Sequence, residues 1–190
     1  MSEANTKTNV KPETNEQFNS IIELCRQLFV KKLSDYGAAW RILRPESMTD
    51  QIFIKAKRIR SIETKGVALV DEGIRSELIG IVNYGLIALI QLEHGFADGV
   101  DMSNDQAIAE YDRHAAQVLA LMKKKNHDYD EAWRSMRMTS YTDMILSKIN
   151  RTKQIEDNKG KTLVSEGVDA NYMDMVNYAV FGLIKIQFGE

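Results

Sequence analysis

Two stretches of this chain carry the same polar residues at the same spacing. Lys31-Lys32-x-x-Asp35-Tyr36-x-x-Ala39-Trp40-Arg41-x-x-Arg44 returns ninety-three residues later as Lys124-Lys125-x-x-Asp128-Tyr129-x-x-Ala132-Trp133-Arg134-x-x-Arg137. The match continues from Ser47-x-Thr49-Asp50-x-Ile52-x-x-Lys55-x-x-Arg58 to Ser140-x-Thr142-Asp143-x-Ile145-x-x-Lys148-x-x-Arg151. With one extra residue in the second copy, Glu72-Gly73 and Val82-Asn83-Tyr84 return as Glu166-Gly167 and Val176-Asn177-Tyr178. Apolar core positions tolerate swaps of similar volume, so polar residues kept at fixed spacing need a more specific cause. A helical unit of about ninety residues is near the size at which it needs a partner to bury its apolar face. The duplication thus points to two related halves packed on each other.

The apolar spacing is helical in both copies. Phe18, Ile21, Ile22, Cys25, Leu28 and Phe29 recur at helical intervals, and Thr14-x-x-Gln17 has the form of a capping box ahead of them. A short helical turn carrying Trp40 is expected before a break at Pro45. A second helix is expected to start at Ser47-x-x-Asp50, and Gly66 marks the loop after it. A third helix, roughly residues 72–92, is apolar almost all round, as a central bundle helix should be. In the second copy Ser103-x-x-Gln106 restarts the pattern, and residues 107–122, 140–156 and 166–188 match the three helices. The resulting expectation is an all-α helical bundle of two tandem repeats packed about a pseudo-twofold axis, like a homodimer fused into one chain. Its parts are a disordered tail (1–15), repeat 1 (16–93), a linker (94–104) and repeat 2 (105–190).

A net charge of −2 gives no general attraction to nucleic acid or acidic membranes, so any anion site must come from local clusters. The polar Met1–Asn15 stretch does not read as a signal peptide. The apolar run in Leu78–Leu92 reads as too short and interrupted to span a bilayer. One cysteine, Cys25, cannot form an internal disulfide, and a cytoplasmic location is expected.

Helical geometry singles out the polar residues that need a reason. Lys55 falls inside the stripe of Ile52, Ile59 and Ile62, and Arg58 borders it one turn along; Lys148 and Arg151 repeat this arrangement. A lysine in an apolar stripe must find an anion or reach water. Two readings stand: an internal ion pair, with Asp35, Glu72 or their counterparts as partner, or a phosphate cradle of lysine and arginine. Asp50 and Asp143, with Ser47 and Thr49, read as helix caps. Asp35-Tyr36 and Asp128-Tyr129 end a helix, where a carboxylate opposes the dipole, and this makes them site candidates. Trp40 and Trp133 read as core anchors. On the third helix Glu77-x-x-Gly80 corresponds to Asn171-x-x-Asp174, so each copy keeps one carboxylate of a pair that could chelate Mg²⁺. Asn83-Tyr84 and Asn177-Tyr178 follow, and an asparagine in an apolar helix needs hydrogen-bond partners. The sequence shows no Gly-rich phosphate loop, Cys/His metal cluster or Ser/His/Asp set.

Lys-Lys-x-x-Asp-Tyr-Gly-x-x-Trp, Asp-x-x-x-x-Lys-x-x-Arg and the later Asn-Tyr together resemble a bacterial and phage family called nucleotide modification-associated domain. The likeness covers residues 17–93 and 110–188 and implies a role near modified or non-standard nucleotides. A wider likeness is to the all-α nucleoside triphosphate pyrophosphatases, the MazG-like and dimeric dUTPase group, which bind Mg²⁺ through Glu-Glu-x-x-Glu and Glu-x-x-Asp. The chain departs from that group in having no Glu-Glu-x-x-Glu. The resemblance implies a protein that binds or processes a nucleotide or nucleotide-derived small molecule. If it is an enzyme, Mg²⁺-dependent triphosphate hydrolysis is expected. Lys55, Arg58, Lys148 and Arg151 would then hold phosphate, and Glu72, Glu77, Glu166 and Asp174 would hold metal. Asp35, Tyr36, Asp128, Tyr129, Asn83 and Asn177 would complete the site. The alternative is a non-catalytic interaction module built on buried ion pairs, and either form leaves room for further self-association.

Overall fold

A computed structural model describes residues 13–66 and 73–189. The described residues form six long helices and no strand: α1 (Thr14–Tyr36), α2 (Pro45–Lys65), α3 (Ile74–His94), α4 (Asn104–Tyr129), α5 (Met138–Asp157) and α6 (Val168–Phe188). A one-turn 3-10 helix precedes α2 (Ala39–Ile42) and another precedes α5 (Ala132–Ser135). Each carries the tryptophan of its repeat.

Local sequence explains most of the helix ends. Ser103 accepts from the Gln106 amide at 3.2 Å while the Gln106 side chain accepts from the Ser103 amide at 3.0 Å, so α4 begins with the expected capping box. The box expected at Thr14 does not form. Thr14 is already helical, and its hydroxyl bonds Glu131 in the other repeat. Residues 14 and 15 therefore belong to α1 rather than to a tail, and residues 1–12 lie outside the described residues. Proline starts α2 instead of interrupting the chain before it. It occupies the first helical position, where its missing N–H costs nothing and its fixed φ suits the helix. Ser47, Thr49 and Asp50 are consequently inside the helix and do not cap it.

The core is a seam between α3 and α6, each flanked by the second helix of its own repeat. Every helix of repeat 1 also packs on its counterpart: α1 on α4, α2 on α5, α3 on α6. The polar contacts between α2 and α5 are reciprocal. Thr49 donates to Glu156 at 2.7 Å and Thr142 donates to Glu63 at 2.8 Å. Lys153 pairs with Asp50 at 3.2 Å and Arg60 with Asp143 at 2.6 Å. Such exchange, residue i to j′ and i′ to j, is what a twofold contact requires. It also gives Thr49, Asp50, Thr142 and Asp143 their role, which is to join the halves.

By length and composition α3 could cross a membrane, contrary to the shorter run read from the sequence, yet 72% of its most apolar window is buried within the bundle. Cys25 is fully buried on α1, and burial pushes its thiol up to about 12. Where α3 meets α6, Gly85 lets the backbones come close: a Cβ there would stand 2.5 Å from Val176 Cγ2. Gly85→Ala should lower stability by about 1–3 kcal/mol, the usual cost of overpacking, with the helix-propensity gain offsetting only part. Urea denaturation showing an unchanged or raised midpoint would contradict this packing.

Glu63 and Glu156 are held above the usual carboxylate range, chiefly by burial, against the pull of their threonine hydrogen bonds. A carboxyl whose pKa is raised by folding favours the native state below the ordinary carboxylate range. That contribution is lost as pH rises through the raised value. Glu156→Gln keeps an acceptor for Thr49 without the charge. Its melting temperature relative to the parent should therefore climb as pH goes from about 4 to about 7; a flat difference would show that Glu156 ionises without penalty.

Candidate functional site

Each repeat opens one cleft between the end of its first helix, its 3-10 turn and its two later helices. The cleft of repeat 1, about 490 Å³, is lined by Tyr36, Trp40, Lys55, Glu77, Asn83 and Tyr84 among others. The cleft of repeat 2, about 370 Å³, is lined by Tyr129, Trp133, Lys148, Asp174, Asn177 and Tyr178. Both volumes fall in the range of about 300–1,000 Å³ usual for small-molecule sites. With the carboxylate shifted by one turn, these two sets are the same positions of the repeat. Most of the polar residues that the duplication kept therefore converge on two equivalent hollows.

The turn that carries the tryptophan is fixed by the next repeated residue. Arg41 is buried and donates to Asp101 at 2.8 Å, to the Gly95 carbonyl at 2.6 Å and to Gln91. Arg134 donates to Glu131 at 2.8 Å, to Gln17 at 2.8 Å and to Thr14 at 2.6 Å. From below, Gln91 donates to the carbonyls of Trp40, Arg41 and Leu43, and its counterpart Lys185 to those of Arg134 and Met136. Sequence reasoning gave these residues no role, although Arg41 and Arg134 stand in the most strongly repeated segment. Trp40 and Trp133 are accordingly immobile cleft walls, 8% and 6% exposed. Trp133 stacks on Phe181 at 4.2 Å and 6° between planes. Neither indole N–H has a hydrogen-bond partner.

The lysine in the apolar stripe finds its anion, though not the one expected. Lys55 Nζ lies 3.5 Å from Glu77, and Arg58 bonds the other oxygen of the same carboxylate. Lys148 Nζ lies 2.7 Å from Asp174, whose other oxygen is taken by Lys125. The carboxylates that sequence left in different places of the two copies thus serve the same lysine. Gly80 makes this work in repeat 1: a Cβ there would meet Lys55 Cε at 2.5 Å, so the lysine lies across the bare backbone to reach Glu77. In repeat 2 that position is Asp174 itself, and Asn171 turns back to donate to the Gly167 carbonyl at 2.8 Å.

The shift of one turn changes which cation is spared. A short connection makes α2 and α3 antiparallel, and α5 and α6 likewise. A carboxylate early on the third helix, such as Glu77, therefore lies beside a late residue of the second, and Arg58 is bound. Asp174 sits one turn later, toward α4, and Lys125 takes the second oxygen. Arg151 then makes neither a hydrogen bond nor an ion pair among the described residues. Three cations stand around one carboxylate in repeat 2: Lys125, Lys148 and Arg151 against Asp174. That local excess of positive charge contrasts with a chain whose net charge is −2.

The remaining expectations divide. Tyr36 and Tyr129 stand exposed at the cleft mouths, while Asp35 and Asp128 stay outside the linings. Asp128 pairs with His127 at 3.1 Å on the surface. Glu72 lies outside the described residues. Glu166 is exposed and borders a separate hollow of about 780 Å³ beside Lys148, Arg151 and Asn171. Glu77 and Asp174 line different clefts and each is engaged by two cations, so the two do not combine as a Mg²⁺ chelate, and neither alone is a donor set that fits a divalent cation. The group among the described residues that could offer a metal three ligand atoms is Glu93, Glu110 and His114. There Arg113 bridges both carboxylates at 2.6 and 2.5 Å, and burial holds His114 below its ordinary pKa. These residues therefore form an ion-pair cluster.

Because Lys148 and Asp174 are both largely withdrawn from water (side chains 11% and 6% exposed), removing one charge strands the other. Asp174→Asn should cost about 3–5 kcal/mol, read by chemical denaturation, and Lys148→Met with Asp174→Leu together should cost less than Asp174→Asn alone. Equal or greater loss in the double variant would contradict a buried pair.

Comparison with known families matches residues 32–92 and 125–186, one stretch in each repeat, to the family described as Nucleotide modification associated domain 1. No curated protein and no solved structure matches the chain.

Proposed function

The chain belongs to the nucleotide modification associated domain 1 family, in two tandem copies, and from this premise we propose that it binds a nucleotide in the cleft of repeat 2. The observation that carries the reading is the repeat-2 cleft, where three cations surround one carboxylate against an aromatic wall. An anion entering there meets Arg151, whose guanidinium fork is uncommitted, and Lys148 and Lys125, which a phosphate can share with Asp174. A planar base has Trp133, Tyr129 and Tyr178 to lie against. The family description supports association with nucleotide modification. The cleft chemistry is what supports reading the ligand as phosphate plus an aromatic heterocycle.

Binding is better supported than hydrolysis. A triphosphate pyrophosphohydrolase needs several carboxylates free to hold metal and orient water, and among the described residues each cleft lining holds one, already paired with cations. The interaction-module reading keeps one specific observation in its favour: Lys55, Arg58, Lys125 and Lys148 all pair with protein carboxylates. Arg151 separates the two readings because it has no such pair. Thermal shift against nucleoside mono-, di- and triphosphates should show stabilisation, about 2.7 kcal/mol at one hundred times Kd. Arg151→Ala, at an exposed position, should leave the unliganded stability within about 0.5 kcal/mol of the parent and weaken binding by about tenfold. Normal stability with no response to any nucleotide would leave the interaction module as the better account.

A further inference from the structure

The two clefts share their residues but not their state, and the difference lies in one buried amide. In repeat 1 the Asn83 side chain is fully used: its NH₂ donates to the Cys25 carbonyl at 3.1 Å, and its oxygen accepts from the Tyr111 hydroxyl at 2.8 Å. Asn83 is therefore a structural link from α3 to α1 and α4. In repeat 2 the counterpart Asn177 is 5% exposed and lines the cleft, yet neither its nitrogen nor its oxygen has a hydrogen-bond partner. The sequence explains the loss at the oxygen. Tyr111 on α4 corresponds to Phe18 on α1, which is fully buried and has no hydroxyl to donate. α1 packs on α6 as α4 packs on α3, so the same architecture puts a hydroxyl beside one asparagine and a bare ring beside the other.

A buried amide without partners is costly to fold around, and native cores leave few such groups. Here it coincides with a second freed group, since Arg151 in the same cleft lacks the carboxylate that holds Arg58 in the other. We propose that the repeat-2 cleft alone reads the base of a bound nucleotide, the Asn177 carboxamide pairing with a base edge that offers a donor beside an acceptor. This deepens, and rests on, the nucleotide-binding reading above. A carboxamide presents one acceptor and one donor side by side, which suits it to bidentate contact with such an edge. Arg151 and Lys148 take the phosphate and Trp133 bounds the ring. The repeat-1 cleft, with its amide engaged and Arg58 bound to Glu77, has no unpaired carboxamide with which to read a base edge in this way.

Calorimetric titration of the full chain with the common 5′-deoxynucleoside monophosphates, and with inorganic phosphate alone, tests this. The expected result is one site per chain and a preferred base bound at least about tenfold more tightly than phosphate. In Asn177→Leu the affinity should fall to the phosphate level, a loss of about tenfold or more for two hydrogen bonds, while the melting temperature holds or rises because an unpaired amide is gone. Asn83→Leu should lower the melting temperature by severing Tyr111 and the Cys25 carbonyl. Asn177→Leu that binds like the parent overturns the proposal, as do two equal sites per chain. Phosphate binding with no base preference overturns it while leaving the nucleotide-site reading of Arg151 in place. A chain that binds neither phosphate nor nucleotide refutes both.

Discussion

The close approach of α3 and α6 governs the rest of the molecule. Both helices are buried along nearly their whole length, and Gly85 against Val176 and Gly182 against Leu78 bring their surfaces together at distances a larger residue would not permit. That seam decides where the outward faces of the two helices point. On α3, positions 77, 80, 83, 84 and 87 line the first cleft; on α6, positions 174, 177, 178 and 181 line the second. Helices that cannot slide past each other hold both sets in register with α2 and α5. Reciprocal threonine–glutamate and ion pairs between α2 and α5 then close the frame on its other side.

Much of this frame was legible in the sequence because periodicity and duplication report directly on helices and on their pairing. The single-sided apolar stripes, the Ser103 capping box and the two-copy plan all follow from residue spacing. Pro45 was misread as a break although proline favours the first helical turn, and with that reading Ser47-x-x-Asp50 looked like a cap. Lys55 in an apolar stripe correctly implied a buried anion. Its partner was missed because Glu77 and Asp174 occupy different positions of the repeat. Spacing alone cannot show that carboxylates at repeat positions one turn apart reach equivalent lysines, Glu77 reaching Lys55 and Asp174 reaching Lys148. Nor can it distinguish Asn83 from Asn177, identical letters in identical contexts. The difference between them resides in Tyr111 and Phe18, which sit elsewhere in the chain and meet the asparagines only through the fold.

Two equivalent hollows with unequal wiring set the two copies of the duplicated unit apart. In repeat 1 the charges and the amide are turned inward: Glu77 absorbs Lys55 and Arg58, and Asn83 ties three helices together. In repeat 2 an arginine and an amide are left unspent, and the turn entering the cleft is less relaxed. Asp130 and Glu131 take left-handed φ values of 48° and 55° where repeat 1 has Gly37 at 66°. A non-glycine residue in that region costs free energy, and Glu131 is held there by Thr14 and Arg134.

Local rules of folding are broken together rather than at random. The unpaired amide, the uncommitted guanidinium and the three non-glycine residues of positive φ among the described residues, Asp130, Glu131 and Lys159, all belong to repeat 2, and the amide and the guanidinium share one cleft. The amide's oxygen and the turn would be relieved by copying what serves the other cleft, since Tyr111 stands where its counterpart Phe18 has no hydroxyl, and Gly37 stands where repeat 2 has Asp130. Sequences that specify a fold well satisfy such demands locally, and departures concentrate where another requirement competes. The α3–α6 seam and the paired charges of repeat 1 supply stability that offsets the unpaired amide and the uncommitted guanidinium of repeat 2, which the proposed nucleotide site would use. An anion with a hydrogen-bonding planar ring is the chemical complement of what has been left open.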